Sequence, residues 1–463
     1  LIILEKTFMK HRSNAASKRI PRSQPHEGVS NEGVSSNKSA NAPSIDAPQK
    51  TTLSSGIRVV SEQLPSAQSF ALGAWIDVGS CDEAPNEYGI THFIEHLVFR
   101  GTSSSKRKRS SLQIANELES VGGYLNAFTT KDHTCYYARA LDAHLKRSLE
   151  LLADMCVYPV FREADVEKER GIILEEVKSL EDEPEEMMND YLDELLFGSG
   201  KKAHPYAHPI SGTAETMRSI TKDDISAFHT KHYTTDRIII AASGNINHDA
   251  LVQSVEALFA DSHVAEKPVR SIPSPKRPSA GSLEKAMPTQ QMHLSLGALI
   301  PAMSDRDYYT LSALSIILGD GMSSRLNQIV REKHGLSYSI YSALSEIRQS
   351  VIFSVYAGFE PAQREKVTGL VTKELRLLLE KPVSKVELRR AKEQLKSSLI
   401  MGLESLSGRM TLLAKSELYL GRFESVEEKV AAIESVTEHD ILALAQTYLR
   451  EQDWHTVCIP PEE

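Results

Sequence analysis

Gly89-Ile90-Thr91-His92-Phe93-Ile94-Glu95-His96-Leu97-Val98-Phe99-Arg100-Gly101 is the stretch that decides how the rest of this chain reads. Ile90, Phe93, Ile94, Leu97 and Val98 recur at helical spacing, which predicts a helix with one stripe packed on the core. His92 and His96 fall one turn apart on another face, with Glu95 beside them. Gly101 is placed to stop the helix. Two imidazoles at i and i+4 can grip one metal ion, and an adjoining carboxylate can take a proton from water that the metal activates. The order His-x-x-Glu-His is the inverse of the commoner zinc-protease signature. Alone, these five residues fit an ordinary surface or core histidine pair equally well, so a metal site requires a third ligand elsewhere.

A chain of 463 residues has room for two or three domains. Hydrophobic content of 41% and charged content of 25% are those of a soluble globular protein. No apolar run approaches the ~20 residues of a membrane span. Residues 1–50 carry eight Lys/Arg and four Asp/Glu, a net +4, so the remainder of a chain of charge −9 sums to −13. An acidic body disfavours nucleic acid and favours basic peptides as partners. Cys81, Cys135, Cys156 and Cys458 show no paired spacing and read as buried reduced thiols.

Residues 1–48 are rich in Ser, Asn, Pro, Lys and Arg and cannot bury enough surface to fold alone. They read as a disordered basic extension, either a bacterial N-terminal tail or a mitochondrial transit peptide. Location follows the same fork, cytoplasmic for a bacterial protein or the mitochondrial matrix. Strands are expected at Arg58–Val60 and Phe70–Val78. After the histidine helix, Ser103–Arg109 reads as a solvated basic surface loop. Leu112–Val121 reads as a helix ended by Gly122 and Gly123, and Tyr124–Leu141 as two strands about a turn at Thr129–Asp132. Residues 144–158 and 163–197 read as helical, and Ile238–Ala242 as a buried strand.

The third ligand is expected on the long helix. With Ile173 at the centre of its apolar face, Val166, Val177 and Leu180 lie close to that direction. Glu169 and Glu176 fall to one side at the edge of the core, where an unpaired charge is costly. Glu175 and Lys168 point toward solvent. An amphipathic helix with acids flanking its stripe gives the same pattern; the histidine motif is what turns these acids into candidate ligands. The acidic run Glu181–Glu186 reads as a solvated helix end, and His204 and His208, set among prolines, as structural loop residues.

His92-x-x-Glu95-His96, then Leu125-Asn126-Ala127-Phe128-Thr129, then Glu169 through Glu176, resembles the pitrilysin/insulinase zinc peptidases, and within them the mitochondrial processing peptidase branch and its bacterial relatives. The resemblance covers about residues 50–460. It implies one Zn2+ per chain held by His92, His96 and Glu176, Glu95 as general base, and Glu169 as a carboxylate supporting the ligands. The gap from His96 to Glu176 is longer than that family's usual spacing, and the Ser/Lys/Arg insertion after Thr102 accounts for the difference.

Residues 263–283 form a Pro-rich linker between a zinc-binding half, 49–262, and a second half, 284–463. The second half echoes the first: Ile220–Ile240 is matched by Val436–Val457, and the segment from Pro159 by that from Pro382. Ala391 and Ser398 then stand where Glu169 and Glu176 stand in the first half, so the second copy has no metal site. By resemblance, Arg331 and Tyr338 match the pair that holds substrate near the cleaved carbonyl, and Asn126, Ala127 and Phe128 lie on the edge strand that receives an extended peptide. The expected fold is α+β, two homologous half-domains each with a mostly antiparallel sheet. The expected activity is zinc endopeptidase action on extended or presequence-like peptides inside a closed chamber, in a homodimer or in a heterodimer with a related chain. The alternative from the same resemblance is a catalytically silent structural or partner subunit.

Overall fold

The computed structural model describes residues 47–104, 107–264, 272–301, 303–348 and 350–462. Most of the N-terminal extension, residues 265–271 of the Pro-rich linker, and Ser105 and Lys106 of the basic loop lie outside the described residues.

The first half builds a six-stranded sheet from β1 (Gln49–Thr52), β2 (Arg58–Gln63), β3 (Ser69–Ile76), β6 (Tyr124–Thr129), β7 (Thr134–Leu141) and β8 (Ile238–Gly244). Its order is β1-β2-β8-β3-β7-β6. A separate hairpin joins β4 (Gly101–Ser103) to β5 (Lys108–Ser110). The second half builds a five-stranded sheet from β9 (Ser282–Glu284), β10 (Met292–Pro301), β11 (Ser337–Ile347), β12 (Ser350–Phe359) and β13 (His455–Ile459). Its order is β11-β12-β10-β13-β9.

Five strands of the first sheet, β2-β8-β3-β7-β6, repeat the order β9-β13-β10-β12-β11 of the second, and β1 is an additional edge strand. In each sheet one parallel pair, β2 with β8 and β9 with β13, accompanies antiparallel neighbours. The echo seen in the sequence has a local cause as well. Thr221 and Thr437 each accept a hydrogen bond from the amide three residues on, those of Asp224 and Asp440, and so open equivalent helices at Lys222–His232 and Glu438–Tyr448. The α+β class and the two similar halves are as the sequence indicates.

Each sheet carries helices of its own half on one face and one helix of the other half on the opposite face. The helix Pro184–Phe197 buries Met188, Leu192 and Leu196 against Leu299, Ile352 and Val457 of the second sheet. The helix Leu406–Tyr419 buries Met410, Leu413 and Leu418 against Val60, Trp75 and Ile239 of the first. Close approach is made possible by glycine: a Cβ at Gly297 would meet the Leu192 side chain at 2.5 Å. This exchange is invisible to hydrophobic periodicity, which marks an apolar stripe and does not say which sheet it covers.

Charged groups cross the same boundary. The Arg348 amide donates to Asp132 Oδ2 at 2.9 Å, its guanidinium pairs with Asp77, and Tyr341 donates to Glu185 Oε1 at 2.8 Å. The acidic run at residues 181–186 is thus broken at Pro184, which starts the exchanged helix, and Glu185 has a partner in the second half. The basic segment Ser103–Arg109 also departs from the expected solvated loop. Arg109 is buried on β5, ion-paired with Glu117 at 3.4 Å and with Asp154, because a hairpin folds it back onto the helix Ser111–Glu119.

Candidate metal centre

The histidine helix runs from Ile90 to Leu97. Ile90, Phe93, Ile94, Leu97 and Val98 are all fully buried in the first-half core, so the apolar stripe holds the opposite face outward. Its start is fixed by a buried carboxylate. Glu83 accepts from the amides of Gly89 at 2.7 Å and Thr91 at 2.9 Å, two of the donors a helix N-terminus leaves unpaired. Gly89 has φ of 91°, and a Cβ there would strike the Ser211 carbonyl at 2.6 Å, so only glycine fits. The helix ends at Leu97, a turn before Gly101 opens β4.

The long helix, Glu163–Glu181, buries Val166, Ile173 and Val177 and packs across the histidine helix. Glu169 is buried on its flank, Glu176 is half-buried, and Glu175 is exposed. His92 Nε2 lies 3.8 Å from Glu176 Oε1, and His96 Nε2 lies 3.7 Å from Glu176 Oε2. These separations are too long for hydrogen bonds, so three lone-pair donors face one point without bonding one another. Their ligand atoms all lie within 4.8 Å of each other, and among the described residues this is the one such group of His, Cys, Asp or Glu. Burial, with help from the neighbouring His96, holds His92 down at about 3, so its imidazole is neutral and can donate a lone pair. His92 Nδ1 is buried with no hydrogen-bond partner among the described residues. Two imidazole nitrogens and one carboxylate oxygen are a donor set of catalytic zinc, three protein ligands with a fourth position left open. The residues fit the ion.

Around this group His96 and Glu95 each have a visible support. His96 Nδ1 is 3.1 Å from Glu169 Oε2, and Arg100, one turn beyond His96, pairs with the other oxygen of Glu169. Glu95 is reached from β6, whose Thr129 Oγ1 donates to Glu95 Oε2 at 2.5 Å. Burial pushes the Glu95 carboxyl above its usual range; the Thr129 hydrogen bond and His96 oppose that shift, and the Glu176 charge reinforces it.

The edge strand is where the sequence reading puts it. β6 is terminal in its sheet and carries Asn126, Ala127 and Phe128. Asn126 donates to Tyr124 Oη at 2.7 Å and accepts from the Ala127 amide at 2.9 Å. Phe128 packs edge-on against Trp75 at 5.6 Å. Arg331 and Tyr338 are brought to each other. The Arg331 guanidinium lies 5.1 Å from the centre of the Tyr338 ring. Tyr338 is the unpaired residue of a bulge between Ser337 and Ser339 at the start of β11, and is 82% exposed. Among the described residues no hydrogen bond or ion pair joins either of them to His92, Glu95, His96 or Glu176. His204 and His208 lie outside the group, bonded to the carbonyls of Pro273 and Ser80, each at 2.8 Å.

Sequence reasoning passed over Glu83, Arg100 and Thr129. Arg100 could have been found as a cation one turn after His96. Thr129 could have been found from β6, where alternation sets it with Leu125 and Ala127, which pack against the core that the histidine helix joins. Glu83 sits outside regular structure and gave no signal.

The chain is similar to known proteins along most of its length. Residues 58–210 match the family described as Insulinase (Peptidase family M16), and residues 219–395 match the Peptidase M16 inactive domain. An uncharacterized zinc protease of Streptomyces coelicolor is 39% identical over 411 residues, covering 88% of each chain. An uncharacterized zinc protease of Bacillus subtilis, YmxG, is 35% identical over 413 residues, 89% of this chain and 98% of that one. Among solved structures, a protease from Helicobacter pylori superposes with a TM-score of 0.80 at 24% identity, covering 90% of this chain and all of that one. A peptidase M16 inactive domain from Pseudomonas fluorescens gives 0.82 at 23% identity, covering 90% and 98%. At that identity the two structures speak for the fold.

Proposed function

The chain belongs to the insulinase (peptidase M16) family, and from that premise we propose that it is a zinc-dependent endopeptidase acting on extended peptides. The observation that carries this reading is the convergence of His92, His96 and Glu176 beside the half-buried carboxylate of Glu95. His92, His96 and Glu176 hold the ion. Zinc bound there supplies Lewis acidity and brings the pKa of water into the neutral range. Glu95 accepts the proton of the attacking water and returns it to the leaving amine, a double use that an upward-shifted carboxyl favours. Glu169 orients His96 and sets its ring for the ion.

The peptide lies along β6 as an added strand, its backbone held by Asn126, Ala127 and Phe128. Arg331 and Tyr338 act on the carbonyl oxygen of the scissile bond. Since they touch each other, and among the described residues no hydrogen bond or ion pair joins them to the metal group of their own chain, a second copy of the chain, in a homodimer, is the source assigned to them. The acidic body makes basic peptides the favoured class.

The test is cleavage of a quenched basic peptide library with zinc content measured on every sample. Wild type is expected to hold zinc and cut. Glu95→Gln is expected to keep zinc and lose at least about 100-fold in kcat. Glu176→Gln is expected to lose zinc, and Glu175→Gln, on the exposed side of the helix, to behave as wild type. Zinc without cleavage in the wild type would replace this reading with that of a silent subunit. Full zinc in Glu176→Gln would break the ligand assignment.

A further inference from the structure

Glu95 is a half-buried carboxylate two residues from the end of the histidine helix, and an acid largely withdrawn from water needs a partner to fix its direction. Neither the histidine helix nor the long helix supplies one. The partner is Thr129, the last residue of β6, whose hydroxyl donates to Glu95 Oε2 at 2.5 Å. Thr129 is itself only 6% exposed, and it is held in the sheet by pairing with Thr134 of β7. Thr134 is in turn tied to the Val78 carbonyl at 3.0 Å. The threonine hydroxyl is therefore delivered from a rigid frame.

The geometry assigns Thr129 as a positioning residue for Glu95, coupling the base to the strand that receives the peptide; this rests on the reading of Glu95 as the general base. An extended peptide paired to β6 takes its register from the backbone of that strand. Thr129 ends the same strand, three residues beyond Asn126. The base and the scissile carbonyl are thereby measured from one frame, and the loose degree of freedom, rotation of the Glu95 carboxylate, is removed before substrate arrives. The chain needs no added proton carrier for this, since Thr129 donates its hydrogen to Oε2 and leaves Oε1 available to the water.

Thr129→Val isolates the hydroxyl, because valine keeps the volume and the β-branched shape that the strand position favours. Thr129→Ser returns the hydroxyl without the methyl. The zinc-loaded enzyme is used for both, with kcat and KM on a cleaved library peptide, zinc content, and crystal structures of wild type and the two variants. The expected result is a loss of about 10–100-fold in kcat for Thr129→Val with KM nearly unchanged and zinc retained. Thr129→Ser is expected to recover most of that loss. In the structures, Glu95 is expected to keep its place in wild type and Thr129→Ser and to swing away in Thr129→Val. A Glu95 still seated in Thr129→Val, or serine no better than valine, overturns the assignment. The crystal structures decide this even for an enzyme that cuts nothing, whereas failure of the peptidase reading shows in the wild type, as zinc without cleavage.

Discussion

His96 Nδ1 lies 3.1 Å from Glu169 Oε2, while the opposite nitrogen of the same ring faces Glu176, two turns further along the same helix. One helix therefore supplies both a ligand and the support of another ligand. The arrangement predicts that Glu169→Gln, which keeps the shape and removes the charge, weakens zinc binding by about 10–100-fold. Arg100 would also lose its counter-charge at that spot. Competition with a calibrated chelator measures the affinity directly. An unchanged affinity would reduce Glu169 to a partner of Arg100 alone.

What could be read in the sequence was what depends on one residue's neighbours along the chain. Helical phase separated Glu176 from Glu175, and the structure places Glu175 on the exposed side. The apolar stripe from Ile90 to Val98 was legible because every member is buried. Contacts made across the fold were not. The hydrogen bond from Thr129 to Glu95 spans 34 residues, and the amide bonds of Glu83 to the start of the histidine helix come from a loop with no periodic signal. Arg109 looked solvated because it stands in a run of cations, yet Glu117 and Asp154 bury and pair it. The exchange of Pro184–Phe197 onto the second sheet was hidden for the same reason, since its stripe fits either half.

That exchange sets a second expectation. Leu192 is 3% exposed and sits directly over Gly297 of β10. Leu192→Ala opens a cavity at the junction of the halves and is expected to cost about 2–5 kcal/mol. Gly297→Ala pushes a methyl into the same leucine and is expected to cost about 1–3 kcal/mol through overpacking. Urea unfolding of both variants gives the two costs, and zinc content, set by residues elsewhere, is expected to stay at the wild-type level. A loss below about 0.5 kcal/mol for Leu192→Ala, the size typical of a surface change, would mean that this helix is not what joins the first half to the second sheet.

A third expectation concerns acid. Glu387 caps the helix Lys385–Gly402, and Arg325 grips both of its oxygens, at 2.7 and 3.1 Å. Burial pushes the Glu387 carboxyl up, but the Arg325 guanidinium and the hydroxyl and amide of Ser384 outweigh it and hold the group at about 2, against 4.5 unperturbed. A depressed acid binds its proton more weakly when folded, so its contribution to stability is full above pH 4.5 and fades as pH falls toward about 2. Arg325→Ala removes the main opposing partner and lets burial prevail. The variant is expected to be less stable than wild type at neutral pH, with the difference shrinking across that acid window, as followed by urea midpoints at stepped pH. A difference that stayed constant down to pH 2 would show that Arg325 acts by packing its stem and not through the charge of Glu387.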